Sequence, residues 1–127
     1  MLQFPNLRRF VIRFAWVSAL GILAGCGKRQ AAAPATPAEA QAAMQNAFKQ
    51  ANPDFKAAAD EAAAAIQNDP AKALGQLQAL SSNPDLDAPQ RNATQESMLL
   101  LAAKLRAAAA QGDAAAEKAL EAYRSSK

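Results

Sequence analysis

The sequence predicts an all-α fold: a small antiparallel array of about five short, alanine-rich helices, set behind an N-terminal leader and a flexible linker. Three observations carry that prediction. Alanine, the best helix former, makes up about a third of the residues after Cys26. Helix starts recur as a capping residue followed at once or nearly so by proline, at Thr36-Pro37, Asn52-Pro53, Asp69-Pro70 and Asp87-Ala88-Pro89. Between those starts apolar residues fall at helical spacing, and no stretch shows the alternation of β-branched residues that marks a strand.

The chain opens on "MLQFPNLRRFVIR", three arginines and no acid, followed by the uncharged run "FAWVSALGILA". A basic segment, a short apolar run and small residues before a cut describe a secretory signal peptide over residues 1–25. The run from Phe14 to Ala24 is short for a membrane span, which needs about 20 residues, and extending it backward meets Arg13. The leader also accounts for the apparent basicity. The net charge is +3, with 14 basic and 11 acidic residues. Arg8, Arg9 and Arg13 precede Cys26, whereas every acid follows it, so the side chains beyond Cys26 sum to zero. That removes the electrostatic basis for a nucleic-acid partner.

Cys26 is the one cysteine, and it closes the apolar run as Leu23-Ala24-Gly25-Cys26. This tetrapeptide closely resembles the lipobox of bacterial lipoproteins. In that family small residues fit a peptidase cleft, and the thiolate is the soft nucleophile a lipid transferase needs. The resemblance implies lipidation at Cys26, with diacylglyceryl on sulfur, cleavage before Cys26 and acylation of the freed amine. No other cofactor is expected. Each buried CH₂ contributes about 0.8 kcal/mol, one chain anchors weakly and two or more anchor stably. Arg8-Arg9 faintly resembles a twin-arginine export signal. Gly27 stands where aspartate would favour inner-membrane retention in the family, so the resemblance implies an outer-membrane anchor facing the periplasm.

Residues 26–36 read as the lipidated cysteine and a tether. "GKRQAAAPATPAE" carries prolines and small residues but no large apolar side chain. Residues 27–36 reach on the order of 30 Å if extended, at about 3.3 Å each.

The helical domain covers 37–127. Five helices are predicted near 37–51, 53–67, 70–82, 88–111 and 113–125, the last two separated by a Gly112 stop and an Asp113 cap. The inward stripes are Ala40, Met44 and Phe48; Phe55, Ala59, Ala62 and Ile66; Leu74, Leu77 and Leu80; Met98, Leu101 and Leu105, widened by Leu99 and Leu100; and Ala116, Leu120 and Tyr123. With two or three large apolar residues per helix the core must be thin. The segment "AAADEAAAAIQNDPAKALGQLQALSSNP" locally resembles one tetratricopeptide helix hairpin, through Ala73, Leu77 and Pro84. The Ala-to-Pro spacing is one residue short, and the first-helix aromatic and glycine are missing. A solenoid needs about three such units.

The sequence offers no chemistry of the usual kinds. Histidine, the commonest general base and metal ligand, is absent. One cysteine permits neither an internal disulfide nor a CxxC site. Adjacent Asp60 and Glu61 point about 100° apart on a helix. Glu117 and Glu121 share a face with Lys118 and Arg124 nearby, a salt-laced surface. Ser81-Ser82 and Ser125-Ser126 read as cap and tail residues, and Asn92-Ala93-Thr94 as a chance sequon. The chain is therefore read as non-catalytic: an interaction or scaffold module whose partners are the membrane, through its lipid, and an envelope protein or a second copy of itself. The alternative rests on "AYRSSK". This ending loosely resembles that of the murein lipoprotein family, whose terminal lysine is joined to peptidoglycan. The resemblance implies wall attachment through Lys127.

Overall fold

The computed structural model describes residues 33–127. The expected signal peptide, the expected lipobox residues Leu23, Ala24, Gly25 and Cys26, and the expected tether up to residue 32 lie outside the described residues. The rest is five helices: α1 (Pro37–Ala47), α2 (Pro53–Asn68), α3 (Pro70–Ser81), α4 (Ala88–Ala110) and α5 (Ala114–Ser125). No strand occurs among the described residues. The all-α array the sequence predicts is the fold observed.

Every helix starts on the residue chosen by its cap. Thr36 and Glu39 form a reciprocal capping box, with the Glu39 N–H donating to Thr36 Oγ1 at 3.3 Å and the Thr36 N–H donating to Glu39 Oε2 at 3.0 Å. Asn52 Oδ1 accepts from the Phe55 N–H at 2.9 Å. Asp69 closes α2 and opens α3: its own N–H donates to the Ala65 carbonyl at 2.8 Å, and its carboxylate accepts from the Lys72 N–H at 3.0 Å. Asp87 and Gln90 form a second capping box at 2.8 and 3.1 Å. The α4–α5 joint is a Schellman turn followed by a cap. The Gly112 N–H donates to the Ala109 carbonyl and the Asp113 N–H to that of Ala108. Gly112 sits at φ 92°, which glycine adopts without strain. Asp113 then accepts from the Ala115 and Ala116 N–H groups at 3.0 and 3.1 Å.

One boundary departs from expectation. The first helix ends at Ala47, four residues before the predicted 51. Phe48 adopts φ −100°, ψ 6°, and the Ala51 N–H donates to the Phe48 carbonyl in a turn. Asn52 must be extended, both to cap α2 and because it precedes Pro53. The chain therefore leaves the helix early, with no glycine to announce it.

The 23-residue α4, about 34 Å long at 1.5 Å per residue, packs against α1, α3 and α5, while α2 packs against α1 and α3. The predicted stripes supply the core, with two corrections. Phe55 is only half-buried, and Leu99 is 64% exposed. Leu99, Leu100 and Leu101 are successive, so they point about 100° apart. Leu101 takes the core, Leu100 its margin, and Leu99 faces outward. Nine of the 21 buried core hydrophobics are alanine, which confirms that the core is thin in large side chains. Ala63, Leu86 and Ala102 join it beyond the expected stripes. So do the polar Thr94 and Ser97 of α4, both fully buried.

Candidate functional site

Polar groups gather around an aromatic where α3 and α5 end against the middle of α4. Helix ends leave carbonyls without intrahelical partners, and serines meet that need here. Ser81 and Ser82 donate to the Gln78 carbonyl at 2.8 and 3.0 Å, and Ser126 donates to the Tyr123 carbonyl at 3.0 Å. The Gln78 amide crosses between the helices, donating to the Tyr123 carbonyl at 3.4 Å and to Ser126 Oγ. Buried Met98 and Tyr123 form the floor. Lys127 closes one side, its Nζ 4.7 Å from the centroid of the Tyr123 ring, within cation–π range. The result is an open depression of about 430 Å³, which adjoins a second of about 370 Å³ lined by Gln95 and Leu99.

This arrangement presents an ammonium and an aromatic ring, with amide and hydroxyl donors already engaged within the chain. The serine hydroxyls at 81, 82, 125 and 126 donate to main-chain carbonyls, as cap and tail residues do. Two further depressions show different chemistry. Phe55, Ala58 and Leu80 line a groove of about 330 Å³ between α2 and α3, rimmed by Glu61, Gln76 and Asn83. Arg106, Glu117 and Arg124 line one of about 230 Å³ between α4 and α5. Among the described residues no three Asp, Glu, Cys or His side chains gather as a metal site would require.

The carboxylates are held apart. Asp60 pairs with Lys56 at 2.6 Å, whereas Glu61 pairs with Lys72 at 3.3 Å and accepts from Gln76 at 2.7 Å. Their divergence on α2 is the one expected from adjacent helical positions. The Glu39 carboxyl has a displaced titration. The Ala35 and Thr36 N–H groups donate to its carboxylate, which favours the charged form and lowers its pKa.

Of the residues singled out in the sequence, Cys26 and the lipobox lie outside the described residues, and Lys127 is exposed at the depression. Ala73 and Leu77 of the repeat-like hairpin are buried in the core, and Pro84 is exposed in the α3–α4 connection. Gln78 and Met98 take a place at the depression that sequence reasoning missed. No local signal marks them, because Gln78 and Ser126 meet across 48 positions of chain. Comparison with known protein families, with characterised proteins and with solved structures finds no match.

Proposed function

We propose that this chain is a lipid-anchored lipoprotein of the bacterial envelope, held by acyl chains on Cys26, whose helical domain serves as a non-catalytic interaction or scaffold module on the periplasmic side of the outer membrane. The observation that carries the reading is Leu23-Ala24-Gly25-Cys26 at the end of an uncharged apolar run. Two features support it. The residues after the cysteine have the composition of a tether. The domain beyond presents shallow, open depressions lined by amides, hydroxyls, alanines and an aromatic, which suit contact with another macromolecule.

Metabolic labelling with palmitate tests the anchor. The wild-type chain incorporates label and a Cys26→Ala chain does not; label retained by the alanine variant contradicts the reading. Crosslinking in intact envelopes tests the module, with a discrete crosslinked product expected and none if the domain has no partner.

One feature favours a second reading, wall attachment through Lys127. The side chain is exposed, and among the described residues its ammonium meets an aromatic face and no carboxylate. Muramidase digestion releases a C-terminal peptide carrying muropeptide mass if Lys127 is linked, and an unmodified peptide if it is not.

A further inference from the structure

We propose that α4 pairs with the α4 of a second copy of this chain, antiparallel and in one register, through the outward face that carries Leu99. The proposal deepens the reading of the domain as an interaction module and rests on it. The outward face of α4 is the row Asn92, Glu96, Leu99, Ala103, Arg106 and Ala110, spaced 4-3-4-3-4. That alternation keeps one seam facing a partner helix. Five of the six residues are exposed and Glu96 is half-buried. Leu99 is the single exposed large hydrophobic among the described residues.

The row is complementary to itself when reversed. Place two copies antiparallel with the two-fold axis midway between Leu99 and Ala103. Leu99 then meets the partner's Ala103, so a large residue fills the space beside a small one. Glu96 meets the partner's Arg106, so opposite charges meet. Asn92 meets the partner's Ala110. Each pairing occurs twice, as an isologous interface requires. A parallel pair in register instead sets Glu96 against Glu96 and Arg106 against Arg106, which like-charge repulsion disfavours. Within the chain, among the described residues, neither Glu96 nor Arg106 forms an ion pair. Glu117 shares a groove with Arg106 without reaching ion-pair distance. The charges that would orient the pair are thus not already engaged.

The seam is small. A face about 27 Å long and about 10 Å wide falls short of the about 800 Å² per partner of a standard interface. The pairing is therefore weak in dilute solution and strengthened where anchoring at one bilayer raises the effective concentration.

Charge exchange tests the register. The full chain is purified in mild detergent and its self-association followed by sedimentation equilibrium up to about millimolar protein, where a weak pair is populated, alongside E96R, R106E and the double variant E96R/R106E. Wild type self-associates. Each single variant sets two like-charged pairs against each other and weakens association about tenfold or more. The double variant restores it to within about threefold. An equimolar mixture of E96R and R106E forms a one-to-one heterodimer, because arginines at 96 and 106 of one chain meet glutamates at 106 and 96 of the other. L99A, which leaves the charges intact, weakens association as well. A wild type that stays monomeric, single variants that associate like wild type, or a mixture no tighter than its components overturns the proposal. A monomer that still incorporates palmitate and crosslinks to another envelope protein overturns the seam while leaving the module reading intact.

Discussion

The inward and outward faces of α4 share leucine and alanine and do opposite things with them. Inward, Leu101 and Leu105 meet the core, Thr94 turns its hydroxyl onto the Gln90 carbonyl at 2.7 Å, and Ser97 buries an oxygen with no partner. Outward, Leu99 stands in solvent beside alanines and a half-buried Glu96. Residue type alone does not say which leucine is buried. Position in the 3.6-residue turn does, because neighbours on α1, α3 and α5 cover one side of the helix. Burial then decides what each leucine and each hydroxyl contributes.

The widest gap between the faces is expected from the two leucines. Leu101→Ala opens a cavity in a core short of large side chains and costs about 2–5 kcal/mol. The thermal midpoint falls by about 10 °C or more. Leu99→Ala changes the stability of the isolated domain by less than about 0.5 kcal/mol. Thermal melts of the two variants read the difference directly, and equal losses would erase the distinction between the faces.

The two buried hydroxyls sharpen the comparison within the inward face. Thr94→Val removes a hydroxyl whose hydrogen bond to the Gln90 carbonyl is in use, costing about 1 kcal/mol. Ser97→Ala removes a buried oxygen that is not in use. It leaves stability unchanged or raises it by up to about 1 kcal/mol, since alanine is also the better helix former. Chemical denaturation resolves opposite signs of that size.

Much of this was legible in the sequence because the local signals are covalent in origin. Proline fixes φ and lacks an N–H, so a cap followed by Pro37, Pro53 or Pro70 sets a helix start within narrow limits. The Gly112-Asp113 joint was equally plain. What escaped depends on tertiary contact. Leu99 reads like Leu101 until the position of α3 and α5 is known. Leu86 lies between helices, where periodicity says nothing, yet it is buried. Thr94 and Ser97 are polar by type and core by place. The depression at Tyr123 joins the ends of two helices far apart in sequence, so no motif could announce it. The proposed lipobox is the reverse case, a reading that rests entirely on four consecutive residues.

The ends of α4 extend the comparison to smaller effects. Gly112→Ala meets no neighbouring atom within 4 Å, so its cost is conformational alone, about 1 kcal/mol from the positive φ. The two capping boxes differ in chemistry: α4 uses the amide of Gln90, whereas α1 uses the carboxylate of Glu39. Because the folded state lowers the Glu39 pKa, its contribution is fully present above the ordinary glutamate range. It is lost as pH falls through the lower, folded value. Glu39→Gln is expected to flatten that acid limb slightly in a pH series of melts, with the limb unchanged if the box does not persist in solution. Glu39 is exposed, so this is the smallest of the effects.

The intact mass of the native protein purified from envelopes tests the central claim most directly. A mature chain beginning at Cys26 and heavier than its polypeptide by a diacylglyceryl group and an acyl chain is the predicted result. A chain that begins elsewhere, or that carries no fatty acyl mass, contradicts it.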